Sequence, residues 1–109
     1  ALAGLQKELV TIKVKLRNNE PLTGEEESMY ITHFSAIVRA RQNQFYQYSI
    51  GMLDEDEWNS MVSSLKTLFN DEKNIEVWDF MAATFPKDFV DFVDEKIKER
   101  EVYSKKKNS

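Results

Sequence analysis

Between Phe34 and Trp58 the chain reads F-S-A-I-V-R-A-R-Q-N-Q-F-Y-Q-Y-S-I-G-M-L-D-E-D-E-W. No other stretch restricts the fold as tightly. At 100° per residue Tyr30, Phe34, Ile37, Val38, Phe45 and Tyr48 fall on one side of a helix spanning about Gly24 to Ile50. Gly51 then supplies a stop, because a helix commonly ends on a residue in the left-handed conformation and glycine adopts it without steric cost. Asp54 offers an N-cap for the next helix and Glu57 its capping-box partner. A long helix, a glycine stop and an immediate restart leave no room for a strand.

The same punctuation recurs along the rest of the chain. Leu2, Leu5, Leu9, Ile12 and Leu16 alternate in steps of three and four, which predicts a first helix over about Leu2–Arg17 with a coiled-coil-like seam. Such a seam serves either as an arm packed on its own domain or as a dimer contact, and about two heptads favour the first. Val10 and Val14 widen its apolar surface. Asn18 to Leu22 breaks this helix, since Pro21 has no place in a helix interior. Thr23 then reads as an N-cap closed by Glu26. On the far side of the second helix, Met29, Ala36, Ala40, Asn43 and Ile50 form a face of mostly small residues, which predicts that this helix is central, with partners on both sides.

Trp58, Met61, Val62, Leu65, Leu68 and Phe69 predict a third helix ending near Asn70, followed by a polar linker over Asp71–Asn74. Trp78, Met81, Ala82 and Phe85 mark a short fourth helix over Ile75–Thr84. Pro86 is placed at or near the first turn of a fifth, where its missing N–H costs nothing. Phe89, Phe92, Val93 and Ile97 are that helix's stripe. The expected architecture is all-α: an N-terminal amphipathic arm over residues 1–17, a compact four- to five-helix bundle over residues 23–101 and a disordered basic tail over residues 102–109.

Composition narrows function mainly by exclusion. A chain of 109 residues with a net charge of −4 gives no electrostatic basis for nucleic-acid binding. The absence of cysteine removes thiolate chemistry, disulfides and Cys-based metal sites, and agrees with a bacterial cytosolic setting. No apolar run approaches the roughly 18–20 residues that a membrane span needs. His33 is the single histidine and no Glu-x-x-His pair exists, so no metal site is expected. No Gly-x-Ser-x-Gly elbow or glycine-rich phosphate loop occurs. The acidic residues cluster at helix starts, where cap chemistry and the helix dipole explain them. A non-enzymatic chain without cofactors is expected.

Arg41 is the residue that needs explaining. It falls within the apolar face, between Val38 and Tyr48, where a charge must snorkel, stack on a ring or meet a carboxylate. Asp79, Asp88, Asp91, Asp94 and Glu57 are the candidate partners. Left without one, Arg41 becomes the centre of an anion-receiving site, with Gln42, Tyr48, Trp58 and Trp78 as its candidate surroundings. The tryptophans, at helix starts, are otherwise anchors of the bundle. Either one exposed at a groove marks a partner site.

An aromatic and an arginine on a helix, Asn43 with Phe45-Tyr46-Gln47, Gly51-x-Leu53-Asp54, Trp58, then Trp78, Phe85-Pro86-x-x-Phe89 and Val93-Asp94 together form a pattern. Over Tyr30–Ile97 it resembles a group of small uncharacterised bacterial proteins, whose members often carry Glu where this chain has Gln42. The resemblance implies a helical soluble domain, often preceded by one or two N-terminal membrane helices. The resemblance favours reading Ala1 as a fragment boundary over a start left by a clipped initiator Met; Lys7, Lys13, Lys15 and Arg17 then either follow a span on the cytoplasmic face of the inner membrane or form the wet face of an ordinary amphipathic helix. The leading expectation is a protein-interaction module, with an unidentified protein partner or self-association through the Leu2–Leu16 seam. The alternative is a small-molecule or anion sensor at Arg41. Contact with anionic lipid through the basic first helix and Lys105–Lys107 is a further expectation.

Overall fold

Helices account for most of the described residues. In the computed structural model the backbone is described for residues 2–107, and side-chain surroundings for residue 4 and residues 6–101. The order is α1 (Leu2–Arg17), α2 (Gly24–Ser49), α3 (Glu55–Leu68), α4 (Glu72–Met81), a 3₁₀ turn (Ala82–Thr84) and α5 (Lys87–Lys107). No strand occurs among the described residues, and the fold is all-α. The chain divides into two compact units, residues 1–36 and residues 37–109.

The first unit is organised by helix-end chemistry. α1 closes in a Schellman motif: Glu20 N–H donates to the Lys15 carbonyl at 2.8 Å and Asn19 N–H to the Leu16 carbonyl at 3.2 Å. Asn19 takes the left-handed position, with φ 56°. Asparagine tolerates that position better than most residues, which is why the stop works without glycine. Thr23 and Glu26 form the expected reciprocal capping box at 3.1 and 2.9 Å. Lys15 Nζ adds a 2.7 Å ion pair to Glu26 Oε1. Together these donors hold the Glu26 carboxyl below the usual carboxylate range, the Lys15 hydrogen bond first and the Thr23 N–H second. Ile12 is fully buried and Leu9 and Leu16 are half-buried, so the α1 seam is already occupied at Ile12 within a single chain. Leu2 and Leu5, the other seam positions, lie outside the residues whose side chains are described.

The second unit is built round aromatic rings. α2 ends in its own Schellman motif, with Gly51 at φ 76°, Met52 N–H on the Gln47 carbonyl at 2.8 Å and Gly51 N–H on the Tyr48 carbonyl at 3.0 Å. Asp54 caps α3 through Glu57 N–H at 2.8 Å, and only this half of the capping box forms among the described residues. Met61 and Leu65 of α3 and its C-cap Phe69, Val77, Trp78 and Met81 of α4, Phe85, and Phe89, Val93 and Ile97 of α5 are buried.

Three expectations are corrected. Asp71–Asn74 is not a linker. Asp71 is the N-cap of α4, accepting from Lys73 N–H at 2.9 Å, and the helix begins at Glu72. Asn74 is buried and donates from Nδ2 to the Leu68 carbonyl at 2.8 Å, tying the start of α4 to the end of α3. The stretch looks like a linker because cap residues and loop residues are the same polar types. α2 is not covered on both sides: Ala36, Ala40, Asn43 and Ile50 are exposed and Met29 is half-buried. Lastly, α5 runs through Lys107, beyond Arg100 where its apolar stripe stops and where residues 102–109 read as a disordered tail. Charged and long-chain residues keep good helix propensity after amphipathicity ends. Residues 108 and 109 lie outside the described residues.

Candidate functional site

Of the residues expected to surround an anion or a partner, the fold separates Trp78 from the rest. Trp78 has no exposed surface. Phe69, Phe85 and Phe89 surround it with ring centroids at 5.9, 5.4 and 6.1 Å. Its indole Nε1–H donates to Asp94 Oδ1 at 2.9 Å. A tryptophan whose single polar atom is satisfied and whose ring is enclosed anchors a core, so Trp78 is not part of a partner site.

Trp58 sits differently. It is partly exposed, at the first turn of α3, and stacks on Tyr48 with centroids 4.0 Å apart and planes 15° from parallel. Phe45 and Phe92 back it at 6.0 and 5.3 Å. Tyr48 Oη donates to Glu55 Oε1 at 2.6 Å. That bond, followed by desolvation and repulsion from the same carboxylate, pushes the phenol above its ordinary value.

Arg41 meets none of the five carboxylates considered for it. No ion pair to Arg41 occurs among the described residues. Asp94 holds Trp78, Asp91 pairs with Lys87 at 2.7 Å and Asp88 accepts from Phe89 N–H at 2.8 Å. Asp79 and Glu57 are exposed. Instead Arg41 Nη1 donates to Gln44 Oε1, one turn on, at 2.5 Å. Its Nε is buried and makes no hydrogen bond, a deficit that costs about 1–3 kcal/mol in a protein interior. Arg41 as a whole is only half-buried, so its charge retains access to water. Gln42, beside it, is also half-buried.

The cation that does stack is Arg39. Its guanidinium lies 4.0 Å from the centre of the Phe85 ring, and Nη2 donates to both the Thr84 carbonyl and Thr84 Oγ1 at 3.3 Å. Arg39 therefore closes the 3₁₀ turn that precedes α5. Sequence periodicity does not reveal this, because Arg39 lies off the apolar stripe and its partners are 45 residues away.

A second grouping was also invisible in the sequence. Lys66, Phe69 and Asn70 at the end of α3, and Lys96, Glu99 and Arg100 on α5, line a groove of about 380 Å³. Among the described residues no cluster of acidic and histidine side chains is arranged to hold a metal ion, and no helix is long and apolar enough to cross a membrane.

The outer side of α2 carries the most exposed large apolar residues of this helix and its stop. Tyr46 is 56% exposed, Ile50 50% and Met52, just past the helix, 73%. Ala40, Asn43, Tyr46 and Ile50 follow one another in steps of three and four and so share a face. Comparison with known protein families, with curated proteins and with solved structures gives no match.

Proposed function

We propose that this chain is a non-enzymatic protein-interaction module whose partner packs along the open face of α2. The observation that supports the reading is the exposure of Tyr46, and of Ile50 and Met52 just past it, at the end of a helix on which Tyr30, Phe34 and Val38 are buried. Grouped apolar side chains left in water are costly, and tyrosine and methionine are enriched where proteins meet. Ala40 and Asn43 on the same face keep it low, so a partner helix can approach closely. The partner is a protein or a second copy of the chain. The resemblance to membrane-tethered bacterial proteins adds the cytoplasmic face of the inner membrane as the proposed setting.

The test is site-specific photocrosslinking in the producing cell, with the photoreactive residue at Met52 and a control at exposed Lys98. A discrete adduct from Met52, absent from Lys98 and lost on adding Ile50→Glu, is expected. Adducts of equal yield at both positions, or none at Met52, would remove the proposal. The adduct's mass distinguishes a second copy from a different protein.

One observation favours the second reading, an anion sensor centred on Arg41: its buried Nε has no partner and no internal carboxylate answers its charge. In that case phosphate or a dicarboxylate raises the melting temperature of the native chain more than that of Arg41→Gln. Equal rises in both proteins sink it.

A further inference from the structure

The groove between the end of α3 and the middle of α5 carries more positive charge than its neighbours neutralise. Lys66 Nζ and Lys96 Nζ share one carboxylate, Glu99, at 3.8 and 3.2 Å. Arg100 is engaged elsewhere, donating to the Asn70 carbonyl at 3.1 Å and to Glu72 Oε1 at 3.4 Å. Among the described residues, three cations thus meet two carboxylates there, in a chain whose overall charge is −4.

Cations often gather at a helix C-terminus to satisfy its last carbonyls and its dipole. Here that task is already met. Asn74 Nδ2 takes the Leu68 carbonyl and Arg100 takes the Asn70 carbonyl. Among the described residues, Glu99 is the one carboxylate that pairs with either lysine. Lys96 is mostly buried along its stem, with 18% of its side chain exposed, and its ammonium also lies 5.2 Å from the Phe92 ring centre. Lys66 and Glu99 are about half exposed, so their 3.8 Å contact is a weak and replaceable one.

We infer that this groove binds a small monocarboxylate with an apolar body, its carboxylate taking the place of Glu99 between Lys66 and Lys96. The volume, about 380 Å³, lies at the lower end of the range for small-molecule pockets, roughly 300–1,000 Å³. It is too small for a folded partner. The stems of the lysines supply an apolar bed, as amphipathic cations do, and the buried Phe69 also lines the groove. One surplus positive charge suits a monoanion. A phosphate dianion would leave one negative charge uncompensated beside the carbonyl end of the α3 dipole. Glu99 then acts as the internal occupant that keeps the lysines paired until the ligand arrives. This site shares no residue with Arg41 or with the open face of α2, and it stands or falls independently of them.

Phenylacetate is a suitable probe and phenylacetamide its neutral counterpart. Titrated into the full chain and followed by amide nitrogen–proton correlation spectra, phenylacetate should give saturable shifts centred on Lys66, Asn70, Lys96 and Arg100. Phenylacetamide should bind several-fold more weakly. Glu99→Gln, which keeps shape and removes the competing charge, should tighten phenylacetate binding by up to about fivefold, the scale of one exposed ion pair. Lys96→Met should weaken it by a similar factor. Unchanged dispersion of the remaining amide signals shows that each variant is folded. Shifts that do not saturate, equal binding of the amide, or no tightening in Glu99→Gln would overturn the inference. Saturable shifts confined to α2 would overturn it as well.

Discussion

The two tryptophans stand in opposite circumstances within one unit of the chain. Trp78 is sealed on every side and its N–H is held by a carboxylate at 2.9 Å. Trp58 lies flat on Tyr48 at 4.0 Å and keeps part of its ring in water. A line of rings joins them: Phe45 touches Trp58 at 6.0 Å and Phe89 at 5.5 Å, and Phe89 reaches Trp78 at 6.1 Å. The difference lies in what surrounds each end of that line. Around Trp78 stand Phe69 from just past α3, Phe85 from just past the 3₁₀ turn and Phe89 of α5, and together they leave it no exposed surface. Around Trp58 the cover is one tyrosine and two phenylalanines, at the corner where Gly51 and Asp54 turn the chain. A tryptophan therefore acts as keystone or as lid according to how many elements converge on it.

The largest expected effect separates the two roles. Trp78→Ala should destabilise the chain by about 3–5 kcal/mol, because the lost burial is joined by a cavity that the packed rings cannot collapse into. For a domain near the usual stability of about 5–15 kcal/mol this is a large fraction of the total. Urea unfolding followed by far-ultraviolet circular dichroism measures it. Trp58→Ala should cost about 2 kcal/mol, from partial burial and the lost stack, with water filling the space and no cavity penalty. Equal losses for the two variants would mean that Trp58 is as much a keystone as Trp78.

How much of this was legible in the sequence follows from the range of the forces involved. Local signals were read correctly: the Thr23–Glu26 box, the Gly51 stop and the Asp54 cap each depend on residues within a few positions of one another. The burial of Phe34, Val38, Leu65, Phe89 and Val93 followed from periodicity alone. Asp71 is ambiguous in the sequence because a capping role and a loop role share one residue type. The open face of α2 is not legible in the sequence because small residues permit a neighbour without supplying one. The partners of Arg39, and the meeting of Lys66 with Lys96 and Glu99, depend on which helices pack together, and no pattern within a single helix encodes that. Arg41 stands out in the sequence because it falls within an apolar face. Its answer, a glutamine one turn away, is local, but the choice of glutamine over five available carboxylates is a tertiary outcome.

The smallest expected effect concerns the lid. The Tyr48 phenol donates to Glu55, and losing its proton would set a phenolate against a carboxylate, so the folded state holds that proton more tightly than the unfolded state does. A group whose pKa is raised on folding contributes stability below its ordinary value, near 10 for tyrosine, and loses it as the pH rises through the raised value. The contribution is therefore full at neutral pH and fades only in strongly alkaline solution. Ultraviolet titration of phenolate absorbance should show a component above the ordinary tyrosine range that disappears in Tyr48→Phe and moves down in Glu55→Gln. If Glu55→Gln leaves that component in place, the stack on Trp58, and not the carboxylate, protects the phenol. Trp58 would then be held by ring packing alone, which makes the lid the more easily opened of the two tryptophan sites.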